Sequence, residues 1–136
     1  MTQPADSTLP QPSSTGLVLF AHGSRDPLWH RPMQAVRDQL LALQPDAPCL
    51  CAYLEISSPS LPDAIAQLVA QGCTRITVLP LFLGTGRHAR EDLPLLLEQA
   101  RQQHPGVELK AATAVGEDPR VIGLLAQIAQ QCIYKE

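Results

Sequence analysis

Two stretches decide the fold: Leu17-Val18-Leu19-Phe20-Ala21 running into His22-Gly23-Ser24-Arg25, and Ile76-Thr77-Val78-Leu79-Pro80-Leu81-Phe82-Leu83 running into Gly84-Thr85-Gly86-Arg87-His88. Both are near-continuous apolar runs, the pattern of a strand buried on two faces in a parallel sheet. Each delivers a histidine just past its carboxyl end. In an open α/β sheet that end lines the ligand crevice. Two imidazoles in one crevice can hold a metal ion or move protons near neutral pH.

Working outward, strand-like runs alternate with helical periodicity four times, which predicts βαβ units and a parallel sheet. The first strand is expected at about 17–21, followed by a helix at 31–44 with Met33, Val36, Leu40 and Leu43 at helical spacing and Pro32 in its first turn. A second strand covers 49–56. The next helix starts near Ser60, which stands three residues before Asp63 as in a capping box, and ends at Gly72. A third strand spans 75–83, and a glycine-containing loop leads to a helix at 92–103. A fourth strand covers 107–114. Asp118-Pro119 then caps a last helix over 119–132, with Val121, Leu124, Leu125, Ile128 and Cys132 expected to be buried. The predicted fold is a single doubly wound α/β domain over residues 16–136, a four-stranded parallel sheet in the order 2-1-3-4 flanked by helices. In that order the first and third strands are neighbours, so His22 and His88 leave the same end of the sheet.

Composition bounds the function. The chain has 136 residues, 45% of them hydrophobic and only 4% aromatic, so one aliphatic core is expected. The net charge is −3 and no basic run occurs, which argues against nucleic acid as a partner. No stretch reaches the roughly 20 apolar residues of a membrane span, so no membrane partner is expected. Cys49, Cys51, Cys73 and Cys132 form no CxxC pair; reduced, mostly buried thiols in a cytoplasmic protein are the expectation. Residues 1–15 hold three prolines and several Ser and Thr, with neither a basic nor an apolar leader region, and read as a disordered tail.

Imidazole suits Fe, Co, Ni and Zn, and a carboxylate can complete the ligand set. Glu55 is the only acid in the second strand's run and lies near its carboxyl end. Two histidines and one glutamate with open positions make a labile site, suited to an ion that is passed on. Either histidine alone reads equally as a turn or surface residue; the pair with Glu55 at matching strand ends points to function. Arg25, Arg87 and Arg90 border the same ends, where guanidinium forks recognise carboxylates or phosphates. Arg90 reads as a surface residue, and His30 and His104 as peripheral. Trp29, with Pro27-Leu28, offers an apolar lip or a core contact. Gly84-Thr85-Gly86-Arg87-His88-Ala89 matches a dinucleotide pattern, but it follows the third strand and lacks the expected acid. Ala21-His22-Gly23 resembles the Arg-His-Gly of histidine phosphatases, with alanine replacing the phosphate-gripping arginine.

Three segments together resemble the CbiX-type sirohydrochlorin chelatases, short class II chelatases: Ala-His-Gly-Ser-Arg-Asp-Pro (21–27), Tyr-Leu-Glu-Ile-Ser-Ser-Pro-Ser-Leu-Pro (53–62) and Leu-Pro-Leu-Phe-Leu-Gly-Thr-Gly-Arg-His-Ala-Arg-Glu-Asp-Leu-Pro (79–94). The resemblance runs from about 16 to 130. It implies a lyase that inserts Co²⁺ or Fe²⁺ (Ni²⁺ is a further candidate) into a sirohydrochlorin-like tetrapyrrole without ATP, in cobalamin or sirohaem biosynthesis. No permanently bound cofactor is implied; the divalent metal is a substrate. His22 and His88, with Glu55, would bind the metal and take up pyrrole protons, while Ser24, Arg25 and Arg87 would meet the substrate's carboxylates. Long family members fuse two such units, and a single unit implies a homodimer. A metal or tetrapyrrole carrier without turnover is the alternative, and phosphoryl transfer a third class resting only on His22 near arginines.

Overall fold

The computed structural model describes residues 14–134, the His88 side chain excepted. Residues 1–13 of the expected tail lie outside it, and Thr15 already belongs to the first strand. The elements run β1 (Thr15–Ala21), α1 (Arg31–Leu43), β2 (Cys49–Tyr53), α2 (Leu61–Ala70), β3 (Arg75–Pro80), α3 (Arg87–Gln103), β4 (Glu108–Ala111) and α4 (Pro119–Tyr134). Single 3-10 turns at Pro27–His30 and Val115–Glu117 precede α1 and α4. The sheet has the order β2-β1-β3-β4, all parallel, as the alternating pattern predicts.

The register sets Leu17 between Cys49 and Thr77, and Leu19 between Cys51 and Leu79. One face of the sheet carries Val18, Phe20, Ile76 and Val78 into a core with Ile65 and Leu68 of α2 and Leu97 and Ala100 of α3. The other face carries Ala21 and Tyr53 against Met33 of α1. Aliphatic side chains fill this interior, with Phe20 and Phe82 its buried phenyl rings.

Local chemistry sets the helix ends. The Asp63 N–H donates to Ser60 Oγ at 3.3 Å, capping α2, and Gly72 closes that segment with φ of +98°. The strands are shorter than expected, β2 ending at Tyr53 and not at 56, β3 at Pro80 and not at 83, and β4 covering Glu108–Ala111 and not 107–114, and two helices also need correction. The helix expected at 92–103 starts at Arg87, because the Arg90 N–H closes on the Gly86 carbonyl at 3.0 Å and the Arg87–Glu91 ion pair supports the added turn. Pro94 sits inside this helix rather than at its start. His88 is therefore a first-turn residue of α3, not part of a loop.

The second correction concerns α4. Its apolar stripe was expected to be covered, yet none of its residues is buried: Leu124, Leu125, Ile128 and Cys132 are all exposed, and Val121 is half-buried. A 3.6-residue apolar period says that a face requires cover, not that its own chain supplies it.

Candidate functional site

β1 and β2 stay paired beyond their formal ends. The Leu54 N–H donates to the Ala21 carbonyl at 2.8 Å, and the Glu55 N–H to the His22 carbonyl at 3.0 Å. This brings two of the three expected metal-site residues onto adjoining backbone. Gly23 makes the approach possible. Its φ is +111°, and a Cβ there would collide with the Glu55 carbonyl oxygen. Ile56, next along, takes φ of +73° as the chain turns away.

A hydrogen-bonded knot joins the two loops. The Ser24 N–H donates to Ser57 Oγ at 3.0 Å, and that hydroxyl donates back to the Ser24 carbonyl at 2.8 Å. His30 Nε2 stands 3.0 Å from Ser57 Oγ and 3.2 Å from the Ser24 carbonyl oxygen, which requires the hydrogen on Nε2. The His30 ring stacks on Tyr53 with centroids 4.8 Å apart, and Trp29 packs edge-on against His30. His30 is thus part of the site's framework, not peripheral. Its place at the N-cap of α1, directly before Arg31-Pro32, was the available signal.

The His22 imidazole lies against the Phe82 ring, centroids 4.4 Å apart, and is otherwise exposed. Phe82 follows β3 and lines a groove of about 370 Å³ between α3 and the β4 side, with Ala89, Arg90, Leu97 and Arg101 from α3 and Ala111, Thr113 and Glu117 from β4 and the segment after it; His22 and Glu55 are not among its lining residues. That volume is at the low end for small-molecule sites, roughly 300–1,000 Å³. The amino end of α3 opens at this same end of the sheet, where its unbonded N–H groups favour anions.

The expected carboxylate-binding residues separate. Ser24 Oγ accepts from the Asp26 N–H at 3.0 Å and serves the turn. Arg87 Nε donates to Glu91 at 3.1 Å on an exposed helix face. Arg25 is exposed. Arg90 is exposed, as expected of a surface residue, and also lines the groove. Among the described residues no three His, Cys, Asp or Glu side chains gather to hold an ion, and the His88 ring lies outside that description. Glu55 is exposed, one residue beyond Leu54, which packs on the α2–α3 core.

The thiols stand away from the crevice. Cys49 and Cys73 are buried, Cys51 half-buried and Cys132 exposed, and none is in a disulfide. Burial pushes the Cys49 thiol up to about 11, with Cys51 adding to the effect, and burial likewise raises Cys51 and Cys73. These protonated thiols are poor metal ligands.

Residues 16–132 match the family model described as CbiX. The chain belongs to the CbiX family. Among relatives of this CbiX chain, a sirohydrochlorin cobaltochelatase of Methanothermobacter thermautotrophicus is 35% identical over 92 residues, 68% of this chain and 64% of that protein. A sirohydrochlorin cobaltochelatase of Saccharolobus solfataricus is 30% identical over 88% of this chain and 97% of its own length. A sirohydrochlorin ferrochelatase of Priestia megaterium is 32% identical over 55% of this chain, but only 28% of its own length. The chain therefore spans less than two thirds of the first and last of these proteins, and nearly all of the Saccharolobus one. In three dimensions it superposes on a CbiX protein of Marinobacter aquaeolei VT8 with a TM-score of 0.76 at 28% identity, covering 88% of this chain and 95% of that one. It also shares its fold with a cobalt complex of a Bacillus subtilis sirohydrochlorin chelatase, TM-score 0.69 at 24% identity, over 87% of this chain and 50% of that one.

Proposed function

We propose that this CbiX chain is a sirohydrochlorin metallochelatase, a lyase inserting Co²⁺ or Fe²⁺ into the tetrapyrrole without ATP. The observation that carries the reading is the adjoining of His22 and Glu55 at the carboxyl end of β1, with the His22 ring against Phe82, which also lines the groove. The names of the cobalto- and ferrochelatase relatives support it.

Insertion exchanges two pyrrole N–H protons for one divalent ion, so the site must desolvate a cation and accept two protons. A neutral imidazole does both: it replaces water on the ion, and with an unperturbed pKa of about 6.5 it accepts a proton near neutral pH. His22, standing exposed on Phe82, takes the first role with Glu55 beside it; His88, on the first turn of α3, is assigned the partner role. Nitrogen and oxygen donors release the ion again, which thiolates would resist. Arg90, which lines the groove, is assigned to the substrate's carboxylates, with Ser24 and the exposed Arg25 and Arg87 as further candidates outside that lining.

The same reading takes the protein as a homodimer, since a 370 Å³ groove open on one side leaves most of a macrocycle uncovered. It places the protein in the cytoplasm, in keeping with four cysteines outside any disulfide. Among the described residues no helix is long and apolar enough to cross a membrane.

An anaerobic assay with Co²⁺, Fe²⁺ and Ni²⁺ side by side tests the proposal. Insertion is expected as a shift of the visible absorption bands, and His22→Ala and His88→Ala are each expected to abolish it. Unchanged turnover in both variants overturns the mechanism. Stoichiometric binding with no rate above the uncatalysed reaction overturns the enzyme reading in favour of a carrier.

A further inference from the structure

We propose that Ile56 is a specificity-determining residue of the site: held in a strained turn beside Glu55, its side chain is an apolar surface for the ring face of the tetrapyrrole. The inference rests on the substrate proposed above and not on the metal chemistry.

The backbone supplies the first observation. The Ser57 N–H donates to the Glu55 carbonyl, two residues back, at 2.7 Å. Ile56 is therefore the centre of a γ-turn, and its φ of +73° makes this the rare, strained form. Among the described residues it is the only one other than glycine with a positive φ. A β-branched side chain there is a genuine outlier. Where only the backbone sets the requirement, this chain uses glycine, at Gly23 with φ of +111° and at Gly72 with φ of +98°.

The turn is clamped on both sides. The Glu55 N–H is bonded to the His22 carbonyl, and the Ser57 hydroxyl to the Ser24 N–H and carbonyl. One residue is left to reverse the chain between those ties, and it is Ile56. The side chain returns little to the fold, because Ile56 is 61% exposed. An aliphatic group kept at a strained position and left in water is a functional signal.

The neighbouring segments say what kind of ligand it meets. Ile56 follows β2, Leu28 follows β1 and Leu83 follows β3, and the two leucines are 58% and 68% exposed. The three strands are adjacent in the sheet, so these segments leave it within about 10 Å of one another, the scale of a tetrapyrrole ring. His22 and Glu55 belong to the same segments. A polycarboxylate tetrapyrrole has charged groups around its rim and an apolar face. Arginines serve the rim, and Ile56 serves the face. A bare cation or a small carboxylate has no use for it.

Titration of the full chain with metal-free sirohydrochlorin, followed by absorption, tests this with Ile56→Gly, Ile56→Asn and Ile56→Leu. Glycine and asparagine tolerate a positive φ, so their melting temperatures are expected to hold or rise. Their Kd for sirohydrochlorin is expected to rise about tenfold, the effect of removing much of a buried aliphatic side chain. Leucine keeps the apolar surface and loses the β-branch, and is expected to bind as the wild type does. The ratio of wild type to glycine variant should persist at high salt, which screens the arginines. Co²⁺ binding measured without tetrapyrrole should be unchanged. An unchanged Kd in the glycine and asparagine variants overturns the proposal, as does a ratio that vanishes at high salt. A matching loss of Co²⁺ binding also overturns it and assigns the turn to Glu55. Lower melting in all three variants overturns it by giving the side chain to the fold. Wild type that binds sirohydrochlorin without inserting metal overturns the chelatase reading alone. Insertion with unchanged variant Kd overturns this inference alone, and wild type that does not bind overturns both.

Discussion

The Glu55 N–H donates to the His22 carbonyl oxygen at 3.0 Å. This bond carries the β1–β2 ladder past Ala21 by one residue and past Tyr53 by two, to the residues proposed above to handle the metal. A parallel sheet is rigid along its ladder, so the two residues move together. Any change that pushes the loops apart should therefore act on metal handling as well as on stability.

Gly23→Ala is such a change. The backbone holds φ at +111° and a Cβ would meet the Glu55 carbonyl. Strain of this kind costs about 1–3 kcal/mol. The melting temperature is expected to fall by several degrees, with metal insertion reduced further than the loss of folded protein explains. Calorimetry and the insertion assay on the same sample check it. A variant with unchanged melting and turnover would show that the two loops are not held as described.

His30 links the same loops through Ser57 and Ser24. His30→Ala is expected to cost about 1–2 kcal/mol, the range for a part-buried hydrogen bond with its packing. Turnover should fall with little change in KM, because the loop bearing His22 loses its anchor while the groove is untouched. His30→Gln, which keeps a donor, should recover part of the loss. Urea unfolding and steady-state rates give both quantities, and a KM effect alone would contradict the positioning role.

Much of this arrangement was legible in the sequence. The apolar runs fixed the parallel sheet, and the 2-1-3-4 order followed from right-handed crossovers, which put the segments after β1 and β3 side by side. Glu55 was readable as the only acid at the end of β2. Other features were not, for physical reasons. Pro94 and Asp92 resemble a helix start, so the added turn from Arg87, held by the Gly86 carbonyl and the Glu91 carboxylate, gave no pattern of its own. Two arginines three residues apart on a first turn cannot be ranked before the groove is known; Arg87 was favoured, and Arg90 is the one that lines the groove. The stripe on α4 announced that it needs cover but carried no information on which chain provides it. His30 was passed over because the Ser57 hydroxyl that it meets lies 27 residues away and gives no local pattern with it.

The two arginines can be separated by kinetics. Arg90 lines the groove, whereas Arg87 is engaged with Glu91 at 3.1 Å. For a polycarboxylate tetrapyrrole, Arg90→Gln is expected to raise KM about tenfold, equivalent to ~1.4 kcal/mol of lost binding. Arg87→Gln should change it much less. Equal effects in the two variants would mean that the substrate approaches over the exposed rim and not through the groove.

The buried thiols give the fold an alkaline limit. Cys49 opens β2, fully packed, with Arg37 Nε donating to its carbonyl at 2.9 Å. Burial, reinforced by Cys51, raises the Cys49 thiol from 9.0 to about 11. The folded state therefore favours the neutral thiol. Below about pH 9 both folded and unfolded chains hold the proton, and the stability is fully present. Between about 9 and 11 the unfolded chain releases the proton and the folded chain keeps it, so stability falls as pH rises. The slope for one such group is at most ~1.4 kcal/mol per pH unit. Cys51, Cys73 and Tyr53, also raised by burial, act in the same direction. Urea midpoints under reducing conditions are expected to drop between pH 8 and pH 10.5, and Cys49→Ala to flatten that drop even where the smaller side chain lowers stability at pH 7. A slope unchanged by Cys49→Ala would assign the alkaline loss to the remaining groups and remove Cys49 from the linkage.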